Sequence, residues 1–177
     1  AELEEALQRP LPEGTSSKPY SVPSQAETHF QLGEVYRASG QLDRALESLR
    51  QAAALEPRVG RYHHRLGMVA APAGQARESI PELEEACRLE PQNAPWQNDL
   101  GDLLRQQNRP QEALVRYRQA VAAQPDEPVY YRNLGSLLRT LGQLDEALQL
   151  LAQAVRLRGD YAEAYSELGL VYEAMNR

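Results

Sequence analysis

The residues able to do chemistry are few, and their spacing works against it. The histidines are His29, His63 and His64, and Cys87 is the single cysteine. His63 and His64 are adjacent, so on a helix they point about 100° apart and do not share a metal easily. Cys87 has no His, Asp or Glu at ligand spacing and reads as a small apolar core position. A lone cysteine excludes an intrachain disulfide. Glu82, Glu84 and Glu85 read as a solvated helix face rather than a catalytic acid–base pair. The glycines are singletons, so no loop is built to cradle a phosphate, and no nucleophile elbow is present. We therefore expect a non-enzymatic segment that needs no cofactor or metal.

The rest of the chain explains why those residues are where they are. Residues 26–59 recur at 60–93, 94–127 and 128–161, and a half copy closes the chain at 162–177. The period is 34 residues without drift. Numbering each copy from 1, position 7 is Leu32, Leu66, Leu100, Leu134 and Leu168. Position 8 is Gly33, Gly67, Gly101, Gly135 and Gly169. Position 20 is Ala45, Ser79, Ala113 and Ala147, and position 27 is Ala52, Ala86, Ala120 and Ala154. Position 32 is Pro57, Pro91 and Pro125, with Gly159 in the fourth copy. Within a copy the apolar residues follow helical spacing: Leu32, Val35, Tyr36, then Leu42, Ala45, Leu46 and Leu49. Gly40, Gly74, Asn108 and Gly142 interrupt each copy where a left-handed residue ends a helix. Each copy thus predicts helix A, a tight turn, helix B and a stop. The small residues at positions 8, 20 and 27 mark close helix crossings.

This pattern resembles the tetratricopeptide repeat family over residues 26–177. The resemblance implies an all-α, right-handed superhelical solenoid of antiparallel helix pairs, and a protein–protein interaction scaffold. Residues 1–25 stand outside it as a short helical scrap and a Pro/Ser-rich linker. KPYSVP within that linker could also dock as an extended strand along a groove. Copy two is the irregular one. Pro72 is expected to end or bend its helix A, and Pro81 to sit near enough to the start of helix B to cost little. Leu170, Val171 and Met175 of the half copy are expected to face partly outward. Because natural solenoids end in a polar cap, the parent chain is expected to continue past Arg177.

The resemblance also implies where a partner would sit. Helix A lines the concave face through positions 2, 5, 6, 9, 12 and 13. Carried over, this gives Arg61, His64, Arg65, Asn98, Asp102, Arg105, Arg132, Asn133 and Arg139 as the candidate groove. The chain carries a net charge of −6, yet the middle of this groove is rich in arginine. A planar guanidinium fits carboxylates, so the expected partner is a peptide or protein segment with acidic groups or a free C-terminus. Acidity argues against nucleic acid. No run of about 18 apolar residues exists to insert in a membrane. The lysine and asparagine set of a chaperone-tail carboxylate clamp is absent in every register. Two alternatives stand beside the scaffold: the substrate-recruiting arm of a larger glycosyltransferase or sulfotransferase, and a scaffold self-associating through its last helix. The compartment stays open, with the cytoplasm slightly favoured.

Overall fold

A computed structural model describes residues 23–176, and the expectations for the preceding linker fall outside them. Among the described residues every regular element is a helix. Helices α1 (Gln25–Ala38), α2 (Leu42–Leu55), α3 (Gly60–Ala70) and α4 (Ala76–Leu89) form a first compact unit. Helices α5 (Ala94–Gln106), α6 (Pro110–Ala123), α7 (Pro128–Thr140), α8 (Leu144–Leu157) and α9 (Ala162–Met175) form a second, beginning at Glu90. In both units consecutive helices pack as antiparallel pairs, α1 with α2, α3 with α4, α5 with α6 and α7 with α8.

Each pair is closed by the same lock. A Cβ added at Gly33 would sit 2.8 Å from Leu49 Cγ, and one at Gly67 would sit 2.8 Å from Leu83 Cγ. At Gly135 the same atom would lie 2.7 Å from Leu151 Cγ. The bare backbone of helix A is therefore the seat for the residue at position 24 of helix B. Leu49, Leu83 and Leu151 are all fully buried there. Burying one leucine contributes about 1.5–3 kcal/mol. The small residues at positions 20 and 27 are also fully buried, which lets the two helix axes approach.

The turns follow from local chemistry. Gly40, Gly74, Gly142 and Asn108 all have positive φ, between 58° and 76°. Each lets the following residue donate backward to helix A, as Gln41 N–H does to Tyr36 O at 2.9 Å. Ser24 caps α1 by accepting from Glu27 N–H at 3.1 Å, and Asn93 caps α5 from Trp96 N–H.

Copy two departs as its prolines require, with one difference. Helix α3 stops at Ala70, ahead of Pro72, while its counterparts α5 and α7 run for 13 residues. Pro81, however, lies inside α4 rather than near its start. The helix persists because Leu83 and Ala86 beyond it are buried while Pro81 itself faces solvent. Val171 is also a correction: it is fully buried, and the side chains of the last helix that do face outward include Tyr165 and Tyr172 along with Leu170 and Met175. Position 10 of helix A packs backward, and in α9 the preceding helix α8 is there to receive it.

Candidate protein-interaction face

The helix A residues singled out above fall into two sets, one in each unit. In the first unit, Arg61 of α3 ion-pairs with Glu27 of α1 and stacks over the Phe30 and Tyr62 rings, 5.3 and 5.1 Å from their centroids. Tyr62 donates its hydroxyl to the same carboxylate at 3.0 Å. Burial works to raise the Glu27 pKa, but the bonds from Gln31 and Tyr62 and the charge of Arg61 outweigh it and hold it low. Arg65 Nε lies 2.9 Å from Glu34 Oε1, at ion-pair distance, although its N–H is not aimed well enough to count as a hydrogen bond. Arg37 shares that carboxylate from within α1. His64 stands beside Arg65, half-buried.

In the second unit the polar groups form a line. Asn133 of α7 donates Nδ2–H to Asn98 Oδ1 of α5 at 2.7 Å. Asn98 in turn donates to Asp102 Oδ2 at 3.2 Å, and the Tyr117 hydroxyl donates to Asp102 Oδ1 at 2.6 Å. Asn98 and Asn133 are buried, so their amides are fixed rather than wandering. Arg105 approaches Asp102 at 3.8 Å. Arg139 pairs with Glu167 of α9 at 3.0 Å, and Ser136 donates to the other oxygen of Glu167 at 2.9 Å. Arg132 differs: its Nε donates to the Tyr161 hydroxyl at 3.1 Å, and among the described residues no carboxylate lies at ion-pair distance from it.

Sequence reasoning named these residues and allowed that the arginines pair with Asp102, as Arg105 does, but missed their carboxylate partners Glu27, Glu34 and Glu167. The basic middle of the helix A face is largely neutralised within the chain. One signal was present: Glu27 and Arg61 occupy the same repeat position one period apart, with opposite charge. Tyr117 was the other omission. It holds the core position where the other copies have leucine, and its hydroxyl reaches past Gly101 to Asp102.

One further expectation shifts. Glu82 is not simply solvated, because its Oε2 lies 2.7 Å from His63 Nδ1. His63 Nε2 lies 3.0 Å from the Pro57 carbonyl. A carbonyl only accepts, so this contact requires the proton on Nε2, and the neighbouring carboxylate favours a second on Nδ1. The Glu82 bond raises the His63 pKa against the opposing effect of burial. Cys87 is buried, and no cluster of three potential metal ligands occurs among the described residues. No described helix is long and apolar enough to cross a membrane.

Helix pairs locked through glycine, stacked in series and carrying their variable polar residues on helix A, define a repeat protein of the interaction-scaffold class. Family models of the tetratricopeptide repeat match residues 26–59 and 70–138, and a further model described as a TPR repeat matches 135–176. This chain belongs to the tetratricopeptide repeat family. Solved structures agree in fold. A crystal structure of MamA protein covers 88% of this chain and 85% of its own at 20% identity, with a TM-score of 0.81. YrrB, described as a TPR protein with an unusual peptide-binding site, covers 85% and 78% at 23% identity and a TM-score of 0.74. PilF of Pseudomonas aeruginosa covers 86% and 70% at 23% identity and a TM-score of 0.72. No curated protein gives a significant match to this chain.

Proposed function

We propose that this chain works as a protein-interaction scaffold that holds an extended peptide segment on the helix A face of its second unit, with Arg132 taking a carboxylate of that segment. The supporting observation is the state of Arg132. Its Nε is anchored on Tyr161, while the other groove arginines in this unit face Asp102 or Glu167. An anchored guanidinium without an internal counter-ion keeps a donor edge for a bidentate carboxylate at small entropic cost. Asn133 lies next to it in sequence, and fixed carboxamides can both donate to and accept from a peptide backbone. The fold of YrrB supports peptide binding as a capacity of this architecture, and the acidic or C-terminal character of the segment rests on Arg132.

The test is a binding assay with a pool of acidic peptides, each prepared with a free or an amidated C-terminus. Arg132→Ala should weaken capture at least about tenfold, since a charge-assisted bond is worth about 1.5–3 kcal/mol. Loss on amidation would assign the carboxylate to the C-terminus. Equal capture by Arg132→Glu would remove this face from the function.

A further inference from the structure

The arginines at position 12 of helix A each face a carboxylate, but not from the same source. In α1, Arg37 meets Glu34, three residues before it, at 3.2 Å. In α5, Arg105 approaches Asp102, again three residues before it. In α7 the corresponding residue is Ser136, and the helix contains no Asp or Glu. The carboxylate comes instead from α9. Arg139 Nε–H donates to Glu167 Oε2 at 3.0 Å, and the Ser136 hydroxyl donates to Glu167 Oε1 at 2.9 Å. A serine and an arginine of one helix thus form a two-point carboxylate cradle, and a neighbouring element supplies its occupant.

The grip on that occupant leaves room for exchange. Glu167 takes one donor from each partner, and among the described residues the Nη groups of Arg139 meet no acceptor. The two-bond fork that a guanidinium offers a carboxylate is therefore unused. The Arg139 and Glu167 side chains are 25% and 20% exposed, so solvent reaches the pair and screens it. Arg132, Ser136 and Arg139 follow one another at spacings of four and three, which puts them on one face of α7. Arg132 and Arg139 stand about 10 Å apart along the axis, a distance bracketed by extended residues two and four apart.

We propose that Ser136 and Arg139 form a second carboxylate site beside Arg132, that Glu167 fills it in the free chain as an internal competitor, and that an acidic group of the partner segment takes it by displacing Glu167. The inference rests on the reading of this face as a site for an acidic segment and sharpens it. The segment carries two acidic groups rather than one, and the chain itself sets a threshold against segments with only one. Glu167 raises that threshold in two ways: it holds both donors, and it places a like charge beside any incoming acid.

The probe is a labelled pool of acidic peptides, divided into those with one carboxylate and those with two, added to the full chain. Glu167→Ala should strengthen capture of the two-carboxylate peptides about three- to fivefold, the upper range of what a partly exposed ion pair is worth. Adding Arg139→Ala to that variant should remove the gain. A gain that survives in the double variant would be mere relief of negative charge and overturns the proposal. Unchanged or weaker capture by Glu167→Ala also overturns it, since Glu167 would then only tie α9 to α7. Glu167→Gln, which drops the charge but keeps an acceptor, covers a folding defect in the alanine variant and should give a smaller gain of the same sign. Arg132→Ala in the same panel separates the two readings. Loss there without a gain at Glu167 leaves the Arg132 site standing and removes the competitor. A gain at Glu167 with Arg132→Ala unchanged does the reverse, and no capture by any variant removes both.

Discussion

The Tyr117 hydroxyl donates to Asp102 across 2.6 Å, from a ring that is itself fully buried against Gly101. A core residue thereby fixes a carboxylate on the helix A face, and through it the Asn98–Asn133 pair. Burial first, and then the Asp102 bond, push the phenol pKa far above its ordinary value, so the hydroxyl remains a donor throughout the physiological range. Tyr117→Phe preserves the ring and removes the donor. We expect a loss of about 1.5–3 kcal/mol, because the bond goes to a charged acceptor. Denaturant unfolding measures it, and a change below a few tenths would show that Asp102 is satisfied elsewhere.

The glycine seats predict opposite outcomes for one chemical change. Gly101→Ala forces a methyl to within 2.7 Å of the Tyr117 ring and should destabilise the second unit by about 1–3 kcal/mol. Gly169→Ala enters open space within a helix and should stabilise it by about 0.5–1 kcal/mol. Thermal melts of both variants decide the matter, and the sign of the difference is the test.

The asparagine pair invites a double-mutant cycle. Asn133→Leu alone leaves the buried Asn98 carbonyl without its donor, which should cost about 1–3 kcal/mol. Replacing Asn98 as well removes the stranded acceptor. The double variant should therefore lose less than the sum of the singles, with a coupling energy of at least about 0.5 kcal/mol. Strict additivity would deny the bond any energetic role.

His63 makes the first unit sensitive to pH in a defined direction. Its folded pKa is raised above the unfolded value of 6.5, chiefly by Glu82. Glu85 adds a weaker attraction, and burial opposes both. The stabilisation is therefore complete below pH 6.5 and fades as pH rises through the folded pKa. His63→Gln should abolish this slope. The substitution copies the third repeat, where Gln97 donates to the Pro91 carbonyl at 3.2 Å. Unfolding free energies measured from pH 5.5 to about 9 test it; a slope unchanged in His63→Gln would assign the titration to another group.

The helix pairs were legible in the sequence because their cause is local and repeated. Gly33 and Leu49 sit at fixed positions within one period, so the same constraint is written four times. The pairing of the helix A face was less legible. Arg139 finds Glu167 and Arg65 finds Glu34 in the next or the preceding copy, across 28 and 31 residues respectively. Those pairs depend on individual side-chain choices that vary from copy to copy, and no periodic pattern records them. Val171 was misjudged for a related reason. Its burial depends on packing against the helix before it, which the apolar spacing within α9 does not record.

The bond between His63 and the Pro57 carbonyl has counterparts in Gln97 to Pro91 and Tyr131 to Pro125. Three unlike side chains reach back the same six residues, at 3.0–3.2 Å, to the same backbone oxygen. The tie is indifferent to chemical identity and strict about distance. It acts as a ruler across the first three junctions, tolerating substitution but not insertion or deletion. At those three junctions the 34-residue spacing thus has a mechanical check: one residue gained or lost between two copies would pull the tip off its oxygen.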